Sequence, residues 1–250
     1  MPDARGRVFC GCAGWSLPPA AQHAFGAGNS HLSRYATRLN AAEINSSFYR
    51  PHSRATYARW AASVPAAFRF SVKLPKAITH DARLRQSDSL LPPFFEQIEG
   101  LEDRLGCLLV QLPPSLAFDS DVAAGFFRNL RAHCSAQVAL EPRHASWFSP
   151  GADALMVHHG VARVLADPVL FGEARMPGGC PGLVYLRLHG SPRRYYSPYT
   201  RATLEALAAR IEQARSHARE IWCIFDNTAS GAATDDALQL RSLLSAPKGA

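Results

Sequence analysis

Val184-Tyr-Leu-Arg-Leu-His189 is the stretch whose reading decides the fold. Leu186 and Leu188 share one face, and Tyr185, Arg187 and His189 share the other. Successive strand side chains point to opposite sides of a sheet. A leucine face needs a covering layer of helices, so Arg187 and His189 must point into the interior of a closed sheet. The same pattern recurs along the chain. Glu43 and Asn45 lie opposite Ile44, Ser71 and Lys73 lie opposite Phe70 and Val72, and Leu109 precedes Gln111 as Ala139 precedes Glu141.

Eight strands are predicted: 8–12, 42–45, 69–73, 107–111, 137–141, 163–167, 184–189 and 221–226. Helices are predicted over 31–39, 55–63, 91–100, 121–133, 153–159, 200–217 and 235–244. The clearest carries Leu204, Leu207, Ala208 and Ile211 at helical spacing, with Thr200 and Thr203 near its start to cap it. The Gly- and Pro-rich segment 171–181 reads as a loop. This alternation predicts an α/β protein, a single-domain (β/α)8 TIM barrel across 1–250. Fraying is expected over about seven N-terminal and about five C-terminal residues. A doubly wound open sheet would carry a longer glycine loop than Gly11-Cys-Ala-Gly14 after its first strand.

A hydrophobic content of 47% over 250 residues is enough for one large core, and no apolar run approaches a membrane span. The first seven residues lack the apolar stretch and cleavage site of a signal peptide. The six cysteines show no paired metal spacing, and Cys10 and Cys12 read as buried strand thiols. A cytoplasmic location is the expectation. The net charge of +7 favours anionic partners without specifying nucleic acid.

All the strands but the first end in a polar residue: Asn45, Lys73, Gln111, Glu141, Asp167, His189 and Asp226. That is the end at which TIM barrels carry their chemistry. These residues also carry a family resemblance. Gly11-Cys-Ala-Gly14-Trp15, Glu43-Ile-Asn-Ser-Ser-Phe-Tyr49, Phe70-Ser-Val-Lys73 with Thr79-His80, Gln111-Leu-Pro-Pro114, Glu141-Pro-Arg-His-Ala-Ser-Trp147, Arg187-Leu-His-Gly190 and Phe225-Asp-Asn227 occur in that order. The set, from Gly11 to Leu244, resembles the YecE-like family, domain-of-unknown-function family 72. The resemblance implies a TIM barrel and brings no reaction with it. One departure is the Ala- and Gly-rich stretch Leu17–Asn29, which keeps only Phe25 where the family is rich in aromatics.

Candidate acid–base groups are Glu43, Glu141, His189, Lys73 and His80. Glu43 and Glu141 lie three strands apart around the ring and fit either a carboxylate pair across a substrate or partners of a structural ion network. Lys73 becomes a Schiff-base amine if desolvated. Arg143 and Arg187 suit a small phosphorylated or carboxylated, sugar-like ligand, because guanidinium forks bind such groups bidentately. Asn45, Tyr49, Gln111, His144, Trp147, Asp226, Asn227 and Trp15 complete the candidate binding set, the aromatics serving to wall a pocket or to plug the barrel top. No cofactor is expected. A divalent metal is disfavoured by three permanent cations at the same mouth. Two other readings stay open: a nucleic-acid binder or phosphodiesterase using Arg193-Arg-Tyr-Tyr196, and a non-catalytic ligand-binding protein. No membrane partner is expected.

Overall fold

The computed structural model describes residues 5–245; positions 1–4 and 246–250, most of the stretches expected to fray, lie outside the described residues. The strands are β1 (Arg7–Ala13), β2 (Ala41–Ile44), β3 (Arg69–Lys73), β4 (Leu105–Gln111), β5 (Gln137–Glu141), β6 (Val161–Arg163), β7 (Leu165–Asp167), β8 (Gly178–Gly179), β9 (Leu183–Leu188) and β10 (Glu220–Phe225). The α-helices are α1 (His31–Tyr35), α2 (Arg54–Ala62), α3 (Ser87–Ile98), α4 (Ser120–His133), α5 (Pro150–His158), α6 (Arg201–Ala214) and α7 (Ala232–Ser245).

All the pairings are parallel except that of the short β8 with β6. β1 joins β10 to β2, and the order then runs through β3, β4 and β5 to β6. β7 pairs with β9, which pairs with β10. Because β6 and β7 are separated only by Val164, they occupy one position and bring the two ends of the sheet together. The chain is a (β/α)8 barrel.

The structure differs from expectation in detail. The sixth strand is split at Val164, whose amide still donates to Leu140 O at 2.8 Å. Asn45, His189 and Asp226 each lie one residue beyond their strands, because the chain leaves the sheet where the loops of the barrel mouth begin. α1 is shorter than its pattern suggested, and α3 starts four residues earlier, with Pro92 and Pro93 inside its length. Among the described residues no α-helix follows the sixth barrel position.

Alternation along the strands divides the core in two. Outward side chains such as Ile44, Phe70, Val72, Leu108 and Leu140 pack under the helices. Cys10 and Cys12 also face outward and donate to Ala237 O and Ala233 O on α7. Inward side chains fill the barrel with Phe9, Cys107, Leu109, Ala139, Tyr185, Trp222 and Ile224. The Tyr185 and Trp222 rings stack with centroids 6.0 Å apart, and Phe9 packs on the same indole. Gly11 lets β1 approach β2: a Cβ there would lie 1.8 Å from Ala41 O. The plug leaves the C-terminal end of the interior to the polar strand ends.

Candidate functional site

Arg187 organises the interior of the barrel mouth. It stands on β9 at 1% exposure, and its fork meets Glu43 from β2: Nη2 donates to Oε1 at 2.8 Å and Nε to Oε2 at 3.1 Å. Nη1 reaches Glu141 Oε2 on β5 at 3.3 Å, and Nη2 lies 3.0 Å from Asp226 Oδ2 beyond β10. Tyr185, two residues earlier on the same inward face, donates to Glu43 Oε2 at 3.0 Å and sits 2.9 Å from Ser71 Oγ. Glu141 Oε1 accepts from Arg143 at 2.7 Å through Nη2 and 3.1 Å through Nε.

Three carboxylates and three cations therefore share this space, with Lys73 the third cation. The two guanidinium groups are paired and the lysine is not. Among the described residues Lys73 Nζ makes no hydrogen bond or salt bridge; it lies 4.1 Å from the centroid of the Phe48 ring. Burial and the Arg187 charge pull its pKa down to about 8. Burial pushes the Asp226 carboxyl up to about 6, against the pull of Arg187 and with the repulsion of Glu43 and Glu141. For Glu141 burial acts upward, but Arg187, Arg143 and His189 outweigh it and hold it down to about 2.

The tautomer of His189 follows from its neighbours. Its Nε2 lies 3.1 Å from both Arg143 Nη2 and Arg187 Nη1, and guanidinium groups only donate. Nε2 must accept, so the proton is on Nδ1. Burial, with Arg187, Arg143 and Arg194 overcoming the pull of Glu141, lowers this histidine to about 3 and keeps it neutral. Its Nδ1 is buried and has no hydrogen-bond partner among the described residues.

The remaining candidates spread outward from this centre. Asn45 and Trp15 line a cavity of about 330 Å³ that reaches Glu43, and Asn45 Oδ1 is buried without a partner among the described residues. Gln111, half-buried at the end of β4, pairs in register with Glu141. His80 packs edge-on against Phe48, and burial, Lys73 and Lys76 lower its pKa. Three candidates have other tasks and a fourth, Tyr49, points to solvent. Trp147 is 1% exposed on the outer side, its Nε1 donating to Leu116 O and its ring packed against Phe118, so it does not wall the mouth. His144 caps the turn after β5 by accepting from Ser146 N. Asn227 has outward parity and ties Ser197 O to Asp236. Tyr49 is 76% exposed. Trp15 itself packs on Trp60 and Phe70 as well as bordering the cavity.

Arg187 also fills the space between Glu43 and Glu141, so the two do not stand as a free pair across a substrate. Sequence reasoning did not assign roles to Tyr185 or Ser71, and it read Tyr195 only as part of the nucleic-acid alternative. The inward parity of Tyr185 and Ser71 was the available signal; the stacking of Tyr195 on His189 at 5.5 Å depends on a loop, which no periodicity reports.

Residues 9–250 match the family model described as "Protein of unknown function DUF72". The chain belongs to the DUF72 family. This DUF72 protein is 28% identical over 173 residues to the UPF0759 protein YecE of Escherichia coli K12, covering 64% of this chain and 59% of that relative's length. It is 22% identical to the UPF0759 protein YunF of Bacillus subtilis, covering 95% of this chain and 94% of YunF. Two solved DUF72 family structures share its fold. One, from Thermotoga maritima, is 24% identical with a TM-score of 0.78, covering 95% of this chain and 98% of that one. The other, from Enterococcus faecalis, is 21% identical with a TM-score of 0.78, covering 98% and 100%. Among the described residues of this DUF72 protein no helix is long and apolar enough to cross a membrane, and no group of three or more His, Cys, Asp or Glu is placed to hold a metal ion.

The Asp226 shift sets a pH dependence of stability. In the folded protein Asp226 keeps its proton up to about 6, against an ordinary value of 3.8. Between these values the folded state binds more protons than the unfolded chain, so this contribution is lost as pH rises through the window. Asp226→Asn is expected to remove that loss and to stabilise the protein by about 2–3 kcal/mol at neutral pH. Urea denaturation across the window checks it; a variant no more stable than the parent at neutral pH contradicts the assignment.

Proposed function

We propose that this DUF72 protein is an enzyme performing acid–base chemistry on a small anionic, sugar-like molecule bearing phosphate or carboxylate. One observation carries the reading: the mouth holds a buried donor left unspent, the His189 Nδ1–H, and a Lys73 amine that no carboxylate binds and that faces the Phe48 ring. An unmet buried donor costs about 1–3 kcal/mol, and an anionic oxygen supplies the missing acceptor. Arg143, only partly buried, is the third group able to meet the anion. In this reading Asp226 and Lys73 move the protons, because their pKa values of about 6 and about 8 straddle neutrality. Glu43 holds Arg187, ionised Glu141 holds Arg187 and Arg143, and neutral His189 donates a hydrogen bond. The buried, unpaired thiols support a cytoplasmic setting for the reaction.

Thermal shift against phosphorylated and carboxylated sugars tests the reading. The parent is expected to gain stability with at least one class, and Arg143→Ala to bind it about tenfold or more weakly, Glu141 remaining paired to Arg187. No shift in the parent with any compound, or unchanged binding by the variant, defeats it.

A second reading has its own observation. Arg193 stacks 3.8 Å above the Tyr196 ring on the loop after β9, with Tyr195 and Tyr196 38% and 43% exposed. Basic and aromatic side chains set side by side in this way hold single-stranded nucleic acid. Affinity would then fall steeply with salt. Absence of any gel shift at low salt, with and without divalent metal, removes this alternative.

A further inference from the structure

We propose that Lys73 is an imine-forming amine, and that the small anion bound at the mouth carries a reactive aldehyde or ketone. The inference deepens the anionic-substrate reading and rests on it.

The first support is the identity of the residue. The chain contains three lysines, Lys73, Lys76 and Lys248, among 27 Lys and Arg residues. Arginine supplies the other fixed positive charges, including both guanidinium groups of the mouth. An ammonium can lose its proton and become a nucleophile, which a guanidinium does not do in proteins. This position is 4% exposed and feels the charge of Arg187, in a mouth where two arginines already supply positive charge. The chemistry that distinguishes lysine there is the deprotonated amine.

The second support is geometry. Lys73 is the last residue of β3, at the end of the barrel where the chemistry lies. Ser47 Oγ lies 2.6 Å from Lys73 O and 2.7 Å from Ile44 O, which locks the strand end to the turn that carries Phe48. Phe48 then covers the amine from one side, and the His80 ring packs edge-on to Phe48. No carboxylate among the described residues ties the amine down, although three lie in the same mouth. Glu43 and Glu141 are instead bound by the Arg187 fork. Burial, together with Arg187, favours the neutral amine against the pull of Glu43, Glu141 and Asp226.

The reaction needs no co-reactant. The ammonium of Lys73 gives one proton, relayed through solvent water, to the Asp226 carboxylate. Its free electron pair attacks the carbonyl carbon; the C–N bond forms, and the oxygen takes up the electron pair and a proton from nitrogen. Asp226 then returns its proton to the departing oxygen, the C–O bond breaks, and water leaves. The nitrogen pair completes C=N, so ammonium plus carbonyl becomes iminium plus water with charge conserved.

Reductive trapping tests this. The parent protein is incubated near neutral pH with glyoxylate or glyceraldehyde 3-phosphate, reduced with borohydride, and mapped by peptide mass spectrometry. The expected result is one adduct on the Lys73 peptide, at least about tenfold above Lys76 or Lys248. A parallel thermal shift uses 3-phosphoglycerate, an anion without an aldehyde or ketone. Lys73→Arg, which keeps the charge and loses the amine, is expected to lose the adduct. No adduct, or label spread over Lys76, Lys248 and the N-terminal amine, overturns the imine. If 3-phosphoglycerate still raises the melting temperature in that case, the anion site stands and only the covalent chemistry falls. If neither probe acts on the parent, both fall together.

Discussion

Arg187→Met is expected to destabilise the protein by about 3–5 kcal/mol, the range for removing one partner from a buried ionic cluster. The guanidinium is the only group that touches Glu43, Glu141 and Asp226 together among the described residues, and it is 1% exposed. Without it, among the described residues, Glu43 keeps only the Tyr185 hydroxyl and Glu141 only Arg143. Burial then favours the protonated acids. Carboxyls whose folded pKa rises above the ordinary value stabilise the fold at low pH and lose that contribution as pH rises. The variant should therefore be weakest at neutral and alkaline pH and recover towards acid. The parent behaves oppositely at Glu141, whose contribution is present above its ordinary value of 4.5 and is lost as pH falls towards about 2. Urea denaturation of both proteins at several pH values measures this. A loss below about 1 kcal/mol, independent of pH, would mean that the cluster is not held by Arg187.

Lys73→Met should act in the opposite direction on stability. The folded protein holds this amine at about 8, against an ordinary value of 10.5. Below the folded value the lysine is charged in both states, and the folded state bears the cost of burying it. That cost falls as pH rises from about 8 and is gone above 10.5, once both states are neutral. Methionine has a similar shape and no charge, so the variant is expected to gain about 2–3 kcal/mol at neutral pH, with the gain vanishing in strong alkali. In the same variant, anion binding at the mouth should weaken. A stabilised protein with impaired ligand binding is the signature of strain held for function. If Lys73→Met is destabilised at neutral pH, the amine has a structural partner and the functional reading loses its main support.

The two effects have opposite signs because the two cations face different surroundings. Arg187 meets three carboxylates, so burying it is offset. Lys73 touches none of them: it meets a phenylalanine ring, and its burial and the repulsion of Arg187 outweigh the more distant pull of Glu43, Glu141 and Asp226. Charge counting along the chain treats them alike; only their three-dimensional neighbours separate them.

What the sequence by itself determined is direction. The period of two in Val184–His189 and its counterparts is a local property of extended backbone, and it placed Glu43, Lys73, Glu141, Arg187 and His189 inside the barrel. Eight such runs separated by helical stretches then left the parallel barrel as the compact way to cover every apolar face. Tertiary structure alone decided who meets whom. The Glu43–Arg187 pair joins residues 144 positions apart, and its formation turns a possible carboxylate pair into the anchor of a guanidinium. Likewise Trp147, His144 and Asn227 sit in motifs that look functional, yet loop paths direct them to Leu116, Ser146 and Ser197. The physical reason is range. Side-chain alternation is set by adjacent peptide units, whereas ion pairing, burial and the proton affinities that follow depend on distances across the closed ring.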